Sequence, residues 1–177
     1  MYESFNNAGL FLITTLFNLY LTVLVVRLIL AWSRADYFNP ITRFIIQVTQ
    51  PIIKHLRPIL PNYHGIEFST LVFIIALQIL KNVLVGLFLM GIPAISVLLL
   101  FSLRDTLILI LNTFFYAIFL QAILSWIQPG FSPLAQVLGQ LSDPIMRPLR
   151  RIIPPVAGFD LTPIPALLGL QFLIMVI

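Results

Sequence analysis

Few side chains in this sequence could perform acid–base, nucleophilic or metal chemistry. The only histidines, His55 and His64, have no carboxylate pattern beside them that would complete a metal site, and the chain has no cysteine. Asp143 and Asp160 are predicted to be helix caps or turn formers, because neither has an evident second group for acid–base catalysis. No phosphate-binding, serine-hydrolase or zinc-protease motif occurs. The sequence therefore favours a protein that is not an enzyme and holds no metal or cofactor.

Basic side chains are concentrated in the segment SDPIMRPLRRIIP, residues 142–154, which contains Arg147, Arg150 and Arg151. A charge of this kind near an anionic leaflet contributes about 1 kcal/mol, so lipid headgroups alone could account for Arg147 and Arg151. Arg57 and Arg150 occupy matched positions in two similar segments. For these two we predict a specific hydrogen-bonded role, either capping a helix of the neighbouring module or contacting a partner.

Polar side chains also interrupt apolar runs. Lys81 is predicted to face a partner helix, water or another subunit, since an unpaired charge inside a span costs about 2.5–3.5 kcal/mol; the alternative is a shifted span in which it reaches an interface. Gln78 and Gln171 are predicted to hydrogen-bond across the molecule as packing contacts. Arg27 is predicted to extend towards the headgroups at the end of its span.

The composition indicates an integral membrane protein. Of 177 residues, 9% are charged and 60% hydrophobic, and the mean hydropathy is +1.06, which is too apolar for a soluble domain of this size. The pI near 9.9 reflects a small excess of 10 Lys and Arg over 6 Asp and Glu, so no nucleic-acid partner is predicted. The expected environment is a bilayer with anionic lipids.

Four apolar stretches are predicted to be transmembrane helices, and the whole chain to be an all-α membrane protein. The fourth stretch is short for a full crossing of about 30 Å. The apolar segment between the second and third stretches is predicted to be an interfacial linker, residues 93–105, because it contains Pro93 and a charged pair. The predicted spans are 10–32, 69–89, 106–127 and 162–177.

An internal repeat organises the chain into two copies, residues 1–92 and 106–177. The repeat rests on eleven identical pairs at an offset of 93, which composition alone does not explain. Each copy contains one loop, 33–68 or 128–161, between two spans. The copies therefore enter the membrane in the same direction, as parallel repeats. The identical pairs are Pro40/Pro133, Pro51/Pro144, Ile52/Ile145, Leu56/Leu149, Arg57/Arg150, Ile59/Ile152, Pro61/Pro154, Gly65/Gly158, Leu77/Leu170, Gln78/Gln171 and Leu80/Leu173.

The two loops contain seven of the ten Lys and Arg residues and must face one side of the membrane. The positive-inside rule places them in the cytoplasm. Trp32 and Trp126, at equivalent span ends, are predicted to be interface anchors. Within the loops, Asn39-Pro40, Gln50-Pro51, Ser132-Pro133 and Asp143-Pro144 are each predicted to begin a short amphipathic helix lying among the headgroups, and Thr162-Pro163 to begin the fourth span.

The stretch 125–173 resembles the YggT family of small bacterial membrane proteins, called YlmG in Gram-positive bacteria and chloroplasts. The resemblance rests on DP-x-x-x-P-x-R-x-x-x-P followed by G-x-D-x-[ST]-P, and the doubled arrangement looks like the proteobacterial form. The first copy departs from the motif at Gln50, His55, Glu67 and Thr70. The positions that fit are Asp143, Pro144, Pro148, Arg150, Pro154, Gly158, Asp160 and Pro163.

The resemblance implies several roles that differ from one another: tolerance of osmotic shock, envelope growth or division, and cytochrome maturation in a chloroplast relative. Their common denominator is a non-enzymatic scaffold in the bacterial inner membrane that assists assembly of other membrane complexes. We therefore expect a membrane-protein partner or a homo-oligomer, held by the second loop. The alternative is a small solute or ion pathway at the repeat interface. A haem chaperone using His55 or His64 is a weaker third hypothesis.

Overall fold

The structure, a computed structural model, describes residues 2–60, 65–89, 91, 93–127, 132–153 and 160–177, with the backbone alone for 2–6 and 126. His64, Pro154, Gly158 and the side chain of Trp126 therefore lie outside the described residues. The described chain forms six α-helices: α1 Tyr2–Trp32, α2 Pro40–Leu56, α3 Phe68–Phe88, α4 Ile95–Ile127, α5 Pro133–Ile152 and α6 Pro163–Val176.

Three helices of the described chain are long and apolar enough to cross a membrane, over Asn7–Trp32, Phe68–Phe88 and Ile95–Ser125. The all-helical fold predicted from the sequence is confirmed for the described residues, and these three helices are candidate membrane spans. The helix α6 is as apolar as the others but has only 14 residues, which at 1.5 Å per residue span about 21 Å.

Two helices begin earlier than the sequence indicated. The helix α1 includes eight residues before the predicted start at 10. Residues 95–105, predicted to be part of an interfacial linker, are instead the first three turns of α4. No glycine or proline interrupts the chain from 95 to 127, and Asp105 accepts a hydrogen bond from Asn82 of α3, so nothing forces a break.

Each loop contains one amphipathic helix where two were predicted. Asn39 and Ser132 cap α2 and α5 as expected, their side chains accepting bonds from the amides of Ile41 and Ala135. The predicted second starts, Gln50-Pro51 and Asp143-Pro144, are wrong, because both prolines lie inside continuous helices. An internal proline costs about 3 kcal/mol.

Buried stripes that continue past each proline explain this continuity. On α2 the buried residues Ile45, Thr49 and Ile53 are four apart and pass Pro51 without a break. On α5 the stripe continues through Leu138, Leu141, Ser142 and Met146. Packing of the whole stripe against the spans offsets the lost backbone hydrogen bond.

We call α1–α3 the first half and α4–α6 the second half. The long first helix of each half packs against the last, α1 on α3 and α4 on α6, and the amphipathic helix lies across both. The halves join mainly where α3 packs on α4, with further contacts of α1 on α4 and of α5 on α1 and α2. Asn39 bridges the two amphipathic helices, donating to the Pro133 carbonyl at 2.8 Å and to Gln136 at 2.9 Å.

Candidate functional site

A buried ionic cluster fixes the first half at the end of α1. Arg27 is only 4% exposed, and its Nε donates to Glu67 Oε2 at 2.8 Å. The other guanidinium nitrogens donate to Thr49 Oγ1 at 2.8 Å and to Gln50 Oε1 at 3.0 Å, both on α2. The interpretation of Arg27 as a side chain reaching for the headgroups is therefore wrong: its partners lie within the protein, on α2 and just before α3.

Glu67 is the centre of this cluster. Besides Arg27, its carboxylate accepts a bond from Arg57 at 2.8 Å and from the Thr70 hydroxyl at 2.9 Å. Its side chain is only 7% exposed. Arg57 was predicted to bond a neighbouring module or a partner, but it pairs with this carboxylate of its own half. Each carboxylate oxygen thus accepts a bond from an arginine.

The surroundings of Glu67 set its titration. Burial disfavours the charged carboxylate, but bonds and positive charge from Arg27, with bonds from Thr70 and Arg57, outweigh burial and hold the pKa of Glu67 below its usual 4.5. A carboxyl whose pKa is lowered on folding stabilises the fold above its unfolded pKa. That stabilisation is lost as pH falls from 4.5 through the lower folded value.

We therefore expect unfolding free energy to drop as the protein is acidified below pH 4.5, and Glu67→Gln to flatten this part of the pH profile. The measurement is unfolding in mixed micelles from about pH 7 to about pH 3, followed by circular dichroism. An acid slope in Glu67→Gln equal to that of the wild type would contradict this account.

The second half has the same pairing at matched positions, but in the open. Arg150 Nε donates to Asp160 Oδ2 at 2.9 Å, with 45% and 40% of the two side chains exposed. As in the pair Arg57 and Glu67, the residues are ten apart in the chain. Burial tends to raise the pKa of Asp160, but bonds from the Thr162 hydroxyl and amide and from Arg150 outweigh it and lower the pKa.

Gln121 of α4 occupies the place that Arg27 has in α1. The two helices align at an offset of 94, which also matches Asn18 with Asn112 and Trp32 with Trp126. The hydrogen bonds follow this alignment: Arg27 bonds the hydroxyl of Thr49, and Gln121 accepts a bond from the hydroxyl of Ser142, the residue 93 positions after Thr49. Gln121 is neutral, so Asp160 has one arginine partner where Glu67 has two.

A cavity of about 640 Å³ opens between α4, α5 and α6 beside this exposed pair. We call it the second-half cavity. Gln121, Arg150 and Asp160 supply polar atoms to it, while its other walls are mostly apolar. Two residues of α4 at this cavity have smaller side chains than the residues of α1 with which they align: Ala122 aligns with Leu28, and Gln121 aligns with Arg27. The apolar lining comprises Ile118, Phe119, Ala122, Ile123, Met146, Leu161, Pro163, Ile164 and Leu167.

The other predicted loop residues are at the surface. Asp143 lies within α5, where it accepts a bond from Arg147 one turn later at 2.6 Å. Arg147 is 68% exposed, and the described residues give the exposed Arg151 no ion-pair partner. An exposed pair of this kind contributes at most about 1 kcal/mol, so these side chains are available to ligands at little energetic cost.

The structure places the predicted intramembrane polar residues on different helix pairs. Lys81 of α3 donates to Asn18 of α1 at 3.2 Å, an intramolecular partner. Gln78 is 2% exposed, and its Oε1 has no hydrogen-bond partner among the described residues. Gln171 lies half-buried on α6, which does not contact α3 within the described chain, so the structure does not bring the two glutamines together.

Arg27, Glu67 and Gln121 were missed as functional residues. One signal was available for the first two: opposite charges stand at the inner ends of the two spans that flank the same loop. Nothing in the sequence pointed to Gln121, and its role became apparent only from its contact with the hydroxyl of Ser142. No group of three His, Asp or Glu that could hold a metal occurs where side chains are described.

Comparison with known proteins gives a consistent assignment. The family model described as CCB3/YggT matches residues 6–88 and 100–177. A Pseudomonas aeruginosa protein named "Uncharacterized protein PA0392" is 38% identical over 97% of this chain and 89% of its own.

A Vibrio alginolyticus protein, named for its place in the proC 3′ region, is 39% identical over 94% of this chain and 91% of its own. The Escherichia coli K12 protein "Uncharacterized protein YggT" is 35% identical over 89% and 82%. None of these three names states an activity. No solved structure matches the chain.

Proposed function

Because the chain belongs to the CCB3/YggT family, we propose that it is a non-enzymatic membrane scaffold that holds another membrane protein at the second-half cavity. The observation that carries the proposal is the difference between the halves. Both ion pairs border a cavity, but the first-half carboxylate is 7% exposed and bonded by two arginines, whereas the second-half carboxylate is 40% exposed, has one arginine and lies beside the larger cavity. A more exposed carboxylate beside a larger cavity is the surface that a partner would bind.

The proposal includes a membrane arrangement of two parallel repeats. If α1, α3, α4 and the shorter α6 each cross the inner membrane, then α2 and α5 lie on one side of it, together with the ion pairs Arg57–Glu67 and Arg150–Asp160. Seven basic residues on that side support a cytoplasmic orientation. Arg147 and Arg151, exposed there, would contact anionic headgroups.

Single-cysteine labelling tests this orientation cleanly, because the chain contains no cysteine. We expect Arg151→Cys to react with a membrane-impermeant maleimide only after the membrane is opened. Ile95→Cys, at the start of α4 and 77% exposed, should react in intact cells. The reverse pattern would overturn the cytoplasmic placement of the loops.

The scaffold function is tested by photo-crosslinking from Phe119. This aromatic side chain lines the second-half cavity and is 43% exposed, so a benzoylphenylalanine there is a small change. In living cells we expect a discrete adduct with another membrane protein.

Phe44 is the control position, since it is aromatic and 63% exposed on α2. The proposal requires the adduct to be strong from 119 and weak from 44. Adducts of equal yield from both positions, or adducts with lipid or with this protein alone, would contradict it.

A further inference from the structure

The first half shows which chemical group the second half lacks. In the first half a guanidinium, that of Arg27, lies between the end of the amphipathic helix and the carboxylate, bonded to both. The matched elements exist in the second half as Ser142 on α5 and Asp160 before α6, but α4 supplies only the neutral Gln121. The second half therefore contains the residues that match the partners of Arg27, but it has no positively charged side chain at the position of Arg27 itself.

The charges agree with this comparison. Glu67 is shared by two arginines, so the first cluster carries one net positive charge. Asp160 has a single arginine, and the pair is neutral. A second cation beside Asp160 would reproduce the charge of the first cluster. Asp160 Oδ1 already accepts bonds from the amide and hydroxyl of Thr162, but Oδ2 accepts only from Arg150 among the described residues and can accept one more donor.

The second-half cavity has a suitable size and lining for a cationic group that is attached to an apolar segment. Its volume of about 640 Å³ exceeds that of the cavity beside Arg27 in the first half, about 300 Å³. Its walls are apolar except for Gln121, Ser125, Arg150 and Asp160. A cation that is partly removed from water is stabilised by a carboxylate, and Asp160 is the acidic residue in the described lining.

We propose that the second-half cavity accepts an arginine or lysine side chain carried by an apolar segment of the partner protein, which takes beside Asp160 the place that Arg27 takes beside Glu67. This inference rests on the proposed scaffold function and names the chemistry of its partner. An anionic lipid bound through Arg150 is the competing occupant.

The decisive variant supplies the missing cation within the chain. We expect Gln121→Arg to pair with Asp160 and to lower the yield of the Phe119 adduct at least about tenfold, equivalent to about 1.4 kcal/mol. Gln47→Arg makes the same change on the exposed side of α2 and should leave the yield within about twofold. Asp160→Asn, which adds no bulk, should also reduce the adduct.

Small amphiphiles added to the purified protein distinguish a cationic occupant of the cavity from an anionic lipid. In phosphatidylcholine nanodiscs, octylguanidinium should raise the Tm of the wild type but not of Gln121→Arg or Asp160→Asn. A rise with octyl sulfate in its place would overturn the inference in favour of an anionic ligand. An unchanged adduct in Gln121→Arg would also overturn it while leaving the scaffold function intact, whereas a wild type without any protein adduct would remove both.

Discussion

Replacing Arg27 with methionine is expected to lower the free energy of unfolding by about 3–5 kcal/mol, the largest effect of any single change considered. Methionine fills similar space but leaves the 7% exposed Glu67 with one arginine where it had two, and leaves Thr49 and Gln50 without their shared donor. A buried charge that loses its partner retains its desolvation cost. Unfolding in mixed micelles at neutral pH, followed by circular dichroism, measures the loss.

Two comparisons make this result interpretable. Arg150→Met breaks the exposed pair with Asp160, which is the second-half counterpart of Arg57 and Glu67, and should cost no more than about 1 kcal/mol. Adding Glu67→Gln to Arg27→Met should recover part of the loss, because the carboxylate left with too few partners is then gone. Equal costs for Arg27→Met and Arg150→Met would show that the burial difference between the clusters has no energetic consequence.

Shortening Ile53 to alanine is expected to cost about 2–5 kcal/mol. Ile53 is fully buried on α2, where this helix packs on the spans. The cavity left by the lost methyl and methylene groups cannot be filled without moving α2, whose prolines and cap hold its position. The same unfolding measurement applies, with a lower Tm as a second readout.

Its neighbour Ile52 is the matched control, being the same residue type on the same helix but 40% exposed. We expect Ile52→Ala to change stability by about 0.5 kcal/mol or less. If the two substitutions lowered the free energy of unfolding equally, α2 would lie among the headgroups without packing on the other helices.

How much could be predicted from the sequence differs between the spans and the loops. The apolar runs required helices, because backbone polar groups inside a bilayer have to be satisfied within the segment. The ends of those helices were harder to predict. The polar start of α1 and the charged pair in α4 do not stop either helix, and neither helix contains a proline.

In the loops, local rules competed with packing. A polar residue followed by proline is a helix-start signal, and it was correct at Asn39 and Ser132. It was wrong at Gln50 and Asp143, because the buried stripe before each proline continues after it, and only tertiary contact reveals that stripe's full length.

The candidate site was predicted in part. The matched arginines, Arg57 and Arg150, were singled out from the sequence, but their carboxylate partners were not, since ion pairing depends on which chain segments meet in space. Arg27 was misread because a basic side chain near the end of a span has two physical solutions, water or an internal carboxylate, and the sequence does not rank them.

The position of Arg27 also has a consequence for synthesis. Its carboxylate partner lies 40 residues further along the chain. At about 5–20 residues per second, Glu67 is made about 2–8 seconds after Arg27. During that interval the guanidinium lacks its carboxylate partner, and Thr49 and Gln50, which are made before Glu67, are its only partners in the cluster. The full set of bonds around Arg27 can therefore form only after the ribosome has added residue 67.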